Sequence, residues 1–178
     1  KSGLLAMITK PFKWLDGNIE KIIILLSYGG MAGIIFVEVI RRFFFNQQAA
    51  WSTTIPIYLF LWLTWMATSY NTKKRTHLRF TEVRALLPYK AQFCCLLLDA
   101  LLWYAFGAIV IYYSIEQVYI SWDNFAIVAG TDDVMQWWFY MATPVAWLLL
   151  LFRVAQNLWL DIQHYRAKAP LTITVPMF

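Results

Sequence analysis

The ionisable residues that could do chemistry inside the apolar stretches of this chain are Glu38 and Asp99. Polar groups in a membrane are costly, so each is a functional candidate. Arg42 follows Glu38 by four residues, the spacing at which a glutamate and an arginine meet on a helix. Glu116 follows Asp99 by 17 residues, roughly 25 Å along a helix axis, so these two acids cannot act as a carboxylate pair. The open roles for Glu38 are a paired charge at the membrane edge, a pair with Arg42 that docks a partner subunit, and proton coupling.

Histidine and cysteine offer no cofactor or metal site. His77 and His164 lie in polar segments, whereas a membrane b-type cytochrome needs histidine pairs within its helix bundle. Cys94 and Cys95 are adjacent, which is the spacing of neither metal ligands nor a redox pair. No phosphate-binding loop and no nucleophile–base set is present, so we expect no cofactor, no metal and no enzymatic activity.

The composition indicates a membrane protein. Of the 178 residues, 61% are hydrophobic and 14% are charged, whereas soluble domains are roughly half apolar and a quarter charged. The net charge of +5 does not indicate nucleic-acid binding, because the basic residues lie between apolar runs rather than along one soluble face. Ten tryptophans are typical of membrane interfaces, where an amphipathic ring meets both lipid and water.

Four apolar runs are long enough to cross a hydrocarbon core, which takes roughly 20 helical residues. The prediction is a single all-α membrane domain over residues 1–178. It comprises an N-terminal segment at 1–21, transmembrane helices at 22–40, 51–70, 93–115 and 134–152, and a C-terminal tail at 153–178. Ser and Thr at 52–54 and the Thr-Asp-Asp at 131–133 are typical helix starts. Pro144 is expected to interrupt the fourth helix.

The distribution of basic residues predicts the orientation. Thirteen Lys and Arg lie in the N-terminal segment, the second loop and the tail, against two in the first loop and none in the third. Cytoplasmic loops carry the excess of Lys and Arg, so both termini are expected in the cytoplasm. Short surface helices are predicted over 11–21 and 81–87, with irregular polar connectors as the alternative. Basic residues of the second loop are expected to contact anionic lipid: Lys73, Lys74, Arg75 and Arg79.

The spans offer packing features rather than a path for cargo. Gly29 and Gly33 have the spacing of a close helix-packing face. No Lys or Arg is expected deep in any span, so the helices are predicted to be inert towards an anionic substrate. The candidate structural or partner-contacting residues are Glu38, Arg42, Trp51, Asp99, Gly29 and Gly33.

Motifs between residues 38 and 88 resemble a known family. In order, they are Arg42-Phe43-Phe44-Phe45-Asn46 at the end of the first run, Trp51 and then Leu59-Phe60-Leu61-Trp62-Leu63 in the second, His77-Leu78-Arg79-Phe80-Thr81 after a basic stretch, and a closing Leu86-Leu87-Pro88. Together they resemble the small membrane subunit of tripartite ATP-independent periplasmic (TRAP) transporters, the DctQ-like family. Thr54 stands where that family often has an acid, so no role that rests on the acid is carried over.

The resemblance implies a non-catalytic scaffold subunit in a bacterial inner membrane. Its implied partners are a large membrane subunit that carries the substrate and sodium sites, a periplasmic protein that delivers an acidic organic substrate such as a C4-dicarboxylate or a sialic acid, and phospholipid. Two alternatives remain open: a stand-alone four-helix exporter coupled to protons through Glu38, and a membrane enzyme, for which the sequence provides almost no chemistry.

Overall fold

The computed structural model describes residues 2–75, 86–168 and 171, with side chains from residue 16 onward. The described part contains five helices: α1 (Ser2–Phe45), α2 (Trp51–Lys74), α3 (Tyr89–Asp123), α4 (Trp137–Tyr140) and α5 (Ala142–Arg166). Within these residues the only β feature is an isolated antiparallel bridge between Ile127 and Met135. The predicted all-α class is therefore confirmed for the described part of the chain.

Helix α1 is much longer than the first apolar run. It continues without a break for 44 residues, so the segment 11–21 is not the separate surface helix that we expected. The reason lies in its N-terminal half, where the side chains of Asp16 and Glu20 bind cations of α2 and α5. These bonds hold the segment in line with the span. The second expected surface helix, 81–87, lies outside the described residues up to position 85.

Helix α2 begins at Trp51, where the second apolar run begins, and continues past that run to Lys74. Its first residues do not cap it as predicted. The residue before the helix is Ala50, without a side-chain cap, and the Ser52 hydroxyl donates to the Ala49 carbonyl at 2.7 Å. Further along, the Thr68 hydroxyl donates to the carbonyl of Thr64 at 2.9 Å. Such bonds satisfy the hydroxyl groups within the helix itself.

The last two helices differ most from the expected fourth span. The Thr-Asp-Asp at 131–133 was expected to cap a helix, but it lies in a hairpin whose backbone bonds join Val128 to Val134 and Gln136 to Ala126. The helix begins at Trp137, is interrupted at Met141 and then runs to Arg166. Pro144 accounts for the interruption, because it has no N–H for the carbonyl four residues earlier. Residues 153–166 of the expected tail are thus helical.

The helices form an open layer in the order α1, α2, α5, α3. Each packs on the next, whereas α2 and α3 have no described Cα atoms within 8 Å of each other. The buried core therefore centres on α5, where Trp147, Leu150 and Val154 pack against Ala100 of α3. As edge helices, α1 and α3 expose most of their apolar side chains.

Among the described residues, three helical segments are long and apolar enough to cross a membrane: Asp16–Phe45, Tyr89–Asp123 and Trp137–Arg166. The protein is thus a multi-pass membrane protein. Helix α2 is a fourth helix of 24 residues, but its many hydroxyl-bearing side chains make it less apolar than the others.

Candidate functional site

A buried arginine joins the N-terminal half of α1 to the middle of α5. Arg153 is only 1% exposed, yet each of its three guanidinium nitrogens donates a hydrogen bond. Its Nε contacts Glu20 Oε1 at 2.6 Å and its Nη1 contacts Asp16 Oδ1 at 2.6 Å. Nη1 also donates to Gln156 Oε1 at 2.8 Å, and Nη2 donates to the Asp16 carbonyl at 2.7 Å. Asp16 and Glu20 are four residues apart, so both acids point from the same face of α1.

Helix α2 joins the same network through Lys73. Its ammonium lies 3.4 Å from Glu20 Oε2 and also donates to the Asp16 carbonyl. Glu20 is fully buried, and its two oxygens thus serve two cations from two helices. Lys73, which was expected to contact lipid, instead directs its charge into the bundle.

A second buried ion pair lies nearer the end of α2. Arg75 Nη1 contacts Asp161 Oδ1 at 2.7 Å, while Arg75 Nε and Nη2 donate to the side chain and the carbonyl of Asn157 at 3.3 and 2.9 Å. Asn157 in turn donates to the Thr72 carbonyl at 2.8 Å. Arg75 has a φ of 58°, which turns the chain as the helix ends. Its side chain is therefore held inside the protein, and of the four expected lipid-contacting residues Lys74 is exposed while Arg79 lies outside the described part.

Together these four ion pairs fix the positions of α1, α2 and α5 relative to one another. They are here called the inner polar network, which consists of Asp16, Glu20, Lys73, Arg75, Arg153 and Asp161. The sequence placed Arg153 just outside the fourth span, whereas in the structure it is buried within the apolar segment Trp137–Arg166. It is 16 residues into that segment, roughly 24 Å along the axis from Trp137. Two sequence signals could have revealed it: the acids spaced by four residues in α1, and a lone arginine inside an apolar run. In a low-dielectric site these charges attract strongly, and each guanidinium nitrogen of Arg153 already donates to an acceptor within the protein.

At the opposite end of α1, Glu38 has a different partner from the predicted one. Its Oε1 accepts a hydrogen bond from the Ala49 backbone N–H at 3.0 Å, and its Oε2 lies 4.0 Å from Nη1 of Arg41 rather than of Arg42. The chain reverses at Asn46, whose φ is +49°, and this turn brings Ala49 back to the helix. Glu38 therefore holds the loop that leads into α2, while Arg42 lines a cleft beside it.

The start of α2 at Trp51 is covered by the hairpin before α4. Gly130 has a φ of +85°, and a Cβ atom there would lie 2.5 Å from the Ala50 carbonyl carbon and 2.6 Å from the Trp51 nitrogen. Only glycine tolerates both the conformation and the approach. The hairpin is further tied to α2 by a hydrogen bond from Gln136 to the Tyr58 hydroxyl.

The remaining candidate residues lie apart from both the inner polar network and the turn at Glu38. Asp99 faces two cavities of α3, one beside the inner polar network and one lined by aromatic rings. Gly29 and Gly33 have no neighbour that an added Cβ would meet within 4 Å, whereas at Gly30 the added atom would lie 3.3 Å from Leu59 Cδ1. The close contact within the chain is thus at Gly30. The predicted residues do not converge on one site, and in the described residues no group of three His, Cys, Asp or Glu side chains could hold a metal.

Comparison with known proteins agrees with the sequence motifs. The family model described as the DctQ component of tripartite ATP-independent periplasmic transporters matches residues 31–164, which include the last third of α1, all of α2, α3 and α4, and most of α5. The chain is also similar to the C4-dicarboxylate TRAP transporter small permease protein DctQ of Vibrio cholerae serotype O1. The two are 24% identical over 80% of this chain and 70% of that protein. The resemblance noted in the sequence is confirmed: the chain belongs to the DctQ family of small membrane subunits of TRAP transporters.

Proposed function

We propose that this chain is a non-catalytic scaffold in a sodium-coupled TRAP transporter of the bacterial inner membrane. The family match over residues 31–164 carries the proposal. The named Vibrio cholerae relative belongs to a C4-dicarboxylate transporter, which favours an acidic organic substrate of that class for the complex, with a sialic acid as the other substrate class. The partners would be a large membrane subunit and a periplasmic substrate-binding protein.

The inner polar network supports the scaffold role. An anionic substrate needs positive side chains or helix N-termini that face a path through the membrane. Arg153 is a cation within an apolar segment, but its guanidinium nitrogens donate to Asp16, Glu20 and Gln156. Together with the contact between Lys73 and Glu20, these bonds join α1, α2 and α5, which supports a static part of the complex against which a partner's mobile part moves.

The same proposal includes four spans with both termini in the cytoplasm. Helix α2 would be the fourth span, since its 24 residues extend roughly 36 Å, enough to cross a core of about 30 Å. The inner polar network would then lie on the cytoplasmic side and the hairpin at Gly130 on the periplasmic side. The basic side chains that remain exposed, such as that of Lys74, would meet anionic headgroups.

The bonding of Glu38 argues against a stand-alone proton-coupled exporter. A coupling acid has to be close to mid-membrane and free to exchange its proton. Glu38 already accepts the Ala49 N–H at 3.0 Å and lies beside Arg41 at the end of its helix. Its role here is to hold the turn between α1 and α2.

Reconstitution tests this function directly. Purified chain in liposomes should take up no labelled C4-dicarboxylate under an imposed sodium or proton gradient. Addition of the large subunit and the binding protein should produce uptake that requires the sodium gradient. Gradient-driven uptake by the chain alone would overturn the scaffold function, and the Glu38→Gln variant would then show whether that carboxylate is responsible.

A further inference from the structure

An open groove runs along one face of the helix layer. Because α2 and α3 do not touch in the described residues, α5 forms the floor between them. The resulting cavity measures about 450 Å³, and its walls are mostly aromatic: Trp65 and Thr68 from α2, Asp99, Leu102, Trp103 and Phe106 from α3, and Trp147 from α5. A groove with two helices as walls and a third as floor has the shape that accepts a further helix.

Two indole N–H groups at this groove have no hydrogen-bond partner in the described structure. Trp147 is 2% exposed, its ring lies 5.5 Å from that of Trp65, and both Nε1 atoms are buried without an acceptor. Buried tryptophan N–H groups usually find a partner, and an unsatisfied donor in a membrane costs several kcal/mol. Both rings line the open cavity, and neither N–H has an acceptor among the described residues.

The depth of the two rings identifies the source of that acceptor. Trp147 precedes Arg153 by six residues and Trp65 precedes Lys73 by eight, so the rings lie about 9 and 12 Å from the inner polar network towards the centre of the membrane. Glu20 and Glu38, which flank the apolar part of α1, are 18 residues apart, or about 27 Å. The rings are therefore close to mid-depth. Lipid tails carry no acceptor there, whereas a transmembrane helix can present a polar side chain.

We propose that the groove formed by Trp65, Leu102, Trp103, Phe106 and Trp147 receives a transmembrane helix of the large subunit, and that this helix provides a hydrogen-bond acceptor to the indole N–H groups of Trp65 and Trp147. The proposal rests on the proposed function and names the face of the chain that its partner occupies. The inserted helix presents apolar side chains to the rings and one Ser, Thr, Asn or Gln at their level. It closes the open layer by contacting α2 and α3 at the same time.

Two kinds of substitution separate the hydrogen bonds from the shape of the groove. Trp65→Phe with Trp147→Phe removes both N–H groups and keeps two aromatic rings, with Trp159→Phe on the exposed face of α5 as the matched control. Leu102→Trp fills the cavity, and Leu101→Trp is its control, because Leu101 is 66% exposed and does not line the groove. Each variant is co-expressed with the large subunit, and the dissociation constant of the purified complex is measured in mild detergent. Circular dichroism and thermal unfolding of each variant alone verify that it folds.

The expected result is that the double Phe variant and Leu102→Trp each weaken the complex at least about tenfold, while both controls leave it unchanged. If the wild-type chain binds the large subunit and neither groove variant weakens the complex, the groove is not the interface, although the proposed function stands. A wild-type chain that binds no large subunit would instead refute the proposed function. Weaker binding of added phospholipid by the groove variants, with an unchanged complex, would mean that lipid occupies the groove and would also overturn the inference.

Discussion

Replacement of Glu20 by glutamine tests whether the inner polar network holds the protein together. Glu20 is fully buried, with one oxygen 2.6 Å from Arg153 and the other 3.4 Å from Lys73. Glutamine has nearly the same shape but no charge, and only one of its two terminal groups can accept a hydrogen bond. Glu20→Gln therefore leaves two cations in the bundle with the single remaining carboxylate of Asp16.

The magnitude follows from the burial of the pair. Removal of one partner of a buried ion pair costs roughly 3–5 kcal/mol, because the other charge is left uncompensated. Asp16 remains 2.6 Å from Arg153, so the lower limit of about 3 kcal/mol applies here. For a chain of this size each kcal/mol lowers the melting temperature by roughly 2–4 °C. The expected loss is about 6–12 °C in mild detergent, measured by intrinsic tryptophan fluorescence.

Glu38→Gln is the matched control, because it removes the same charge from the same helix. The Glu38 carboxylate accepts one backbone N–H and lies 4.0 Å from a partly exposed arginine, so its loss should cost about 1 kcal/mol, or about 2–4 °C. Replacement of both members of the buried pair, Glu20→Leu with Arg153→Met, should recover part of the stability that Glu20→Gln loses. Equal shifts for Glu20→Gln and Glu38→Gln would refute the claim that burial makes the inner polar network important.

Two further predictions concern the hairpin and the orientation. Gly130→Ala should lower the melting temperature by about 4–8 °C, since strain at positive φ and the clash with Ala50 together cost about 2 kcal/mol or more. Gly29→Ala is the control and should cause no loss, because an added Cβ there meets nothing within 4 Å. Equal losses for the two variants would contradict the close approach at Gly130. In a background free of Cys94 and Cys95, a cysteine at Asn124 should react with an impermeant reagent in intact cells, and one at Lys168 only after lysis. Reaction of both in intact cells would refute the four-span topology.

Some features of this protein follow from its sequence alone. The proportion of apolar residues identifies the solvent as lipid, because no soluble domain of this length could cover so much apolar surface. The family could be recognised from motifs around the end of α1 and the start of α2, since these involve residue types at short spacings. The start of α2 at Trp51 was visible for the same reason. It depends on a local change from polar to apolar residues.

The partners of the charged residues could not be read from the sequence. Arg153 seemed to begin a cytoplasmic tail, and Lys73 and Arg75 seemed to belong to a basic loop that faces lipid. Their acids lie far away in sequence: Glu20 is 133 residues from Arg153, and Asp161 is 86 residues from Arg75. Hydropathy describes the average environment of a segment, whereas an ion pair depends on which helix faces which.

The length and order of the helices were likewise decided by tertiary contacts. Asp16 and Glu20 hold the start of α1 in line with its span, because their charges are bonded to α2 and α5 instead of to lipid headgroups. The open order α1, α2, α5, α3 leaves Trp65 and Trp147 beside a groove, although both occur in apolar runs that could equally form a closed bundle. Composition thus determined that the chain lies in a membrane, and short-range motifs indicated its family. Ion pairs between distant residues determined how its helices pack. Burial makes these pairs strong, and the positions of the charges on the helices determine which of them meet.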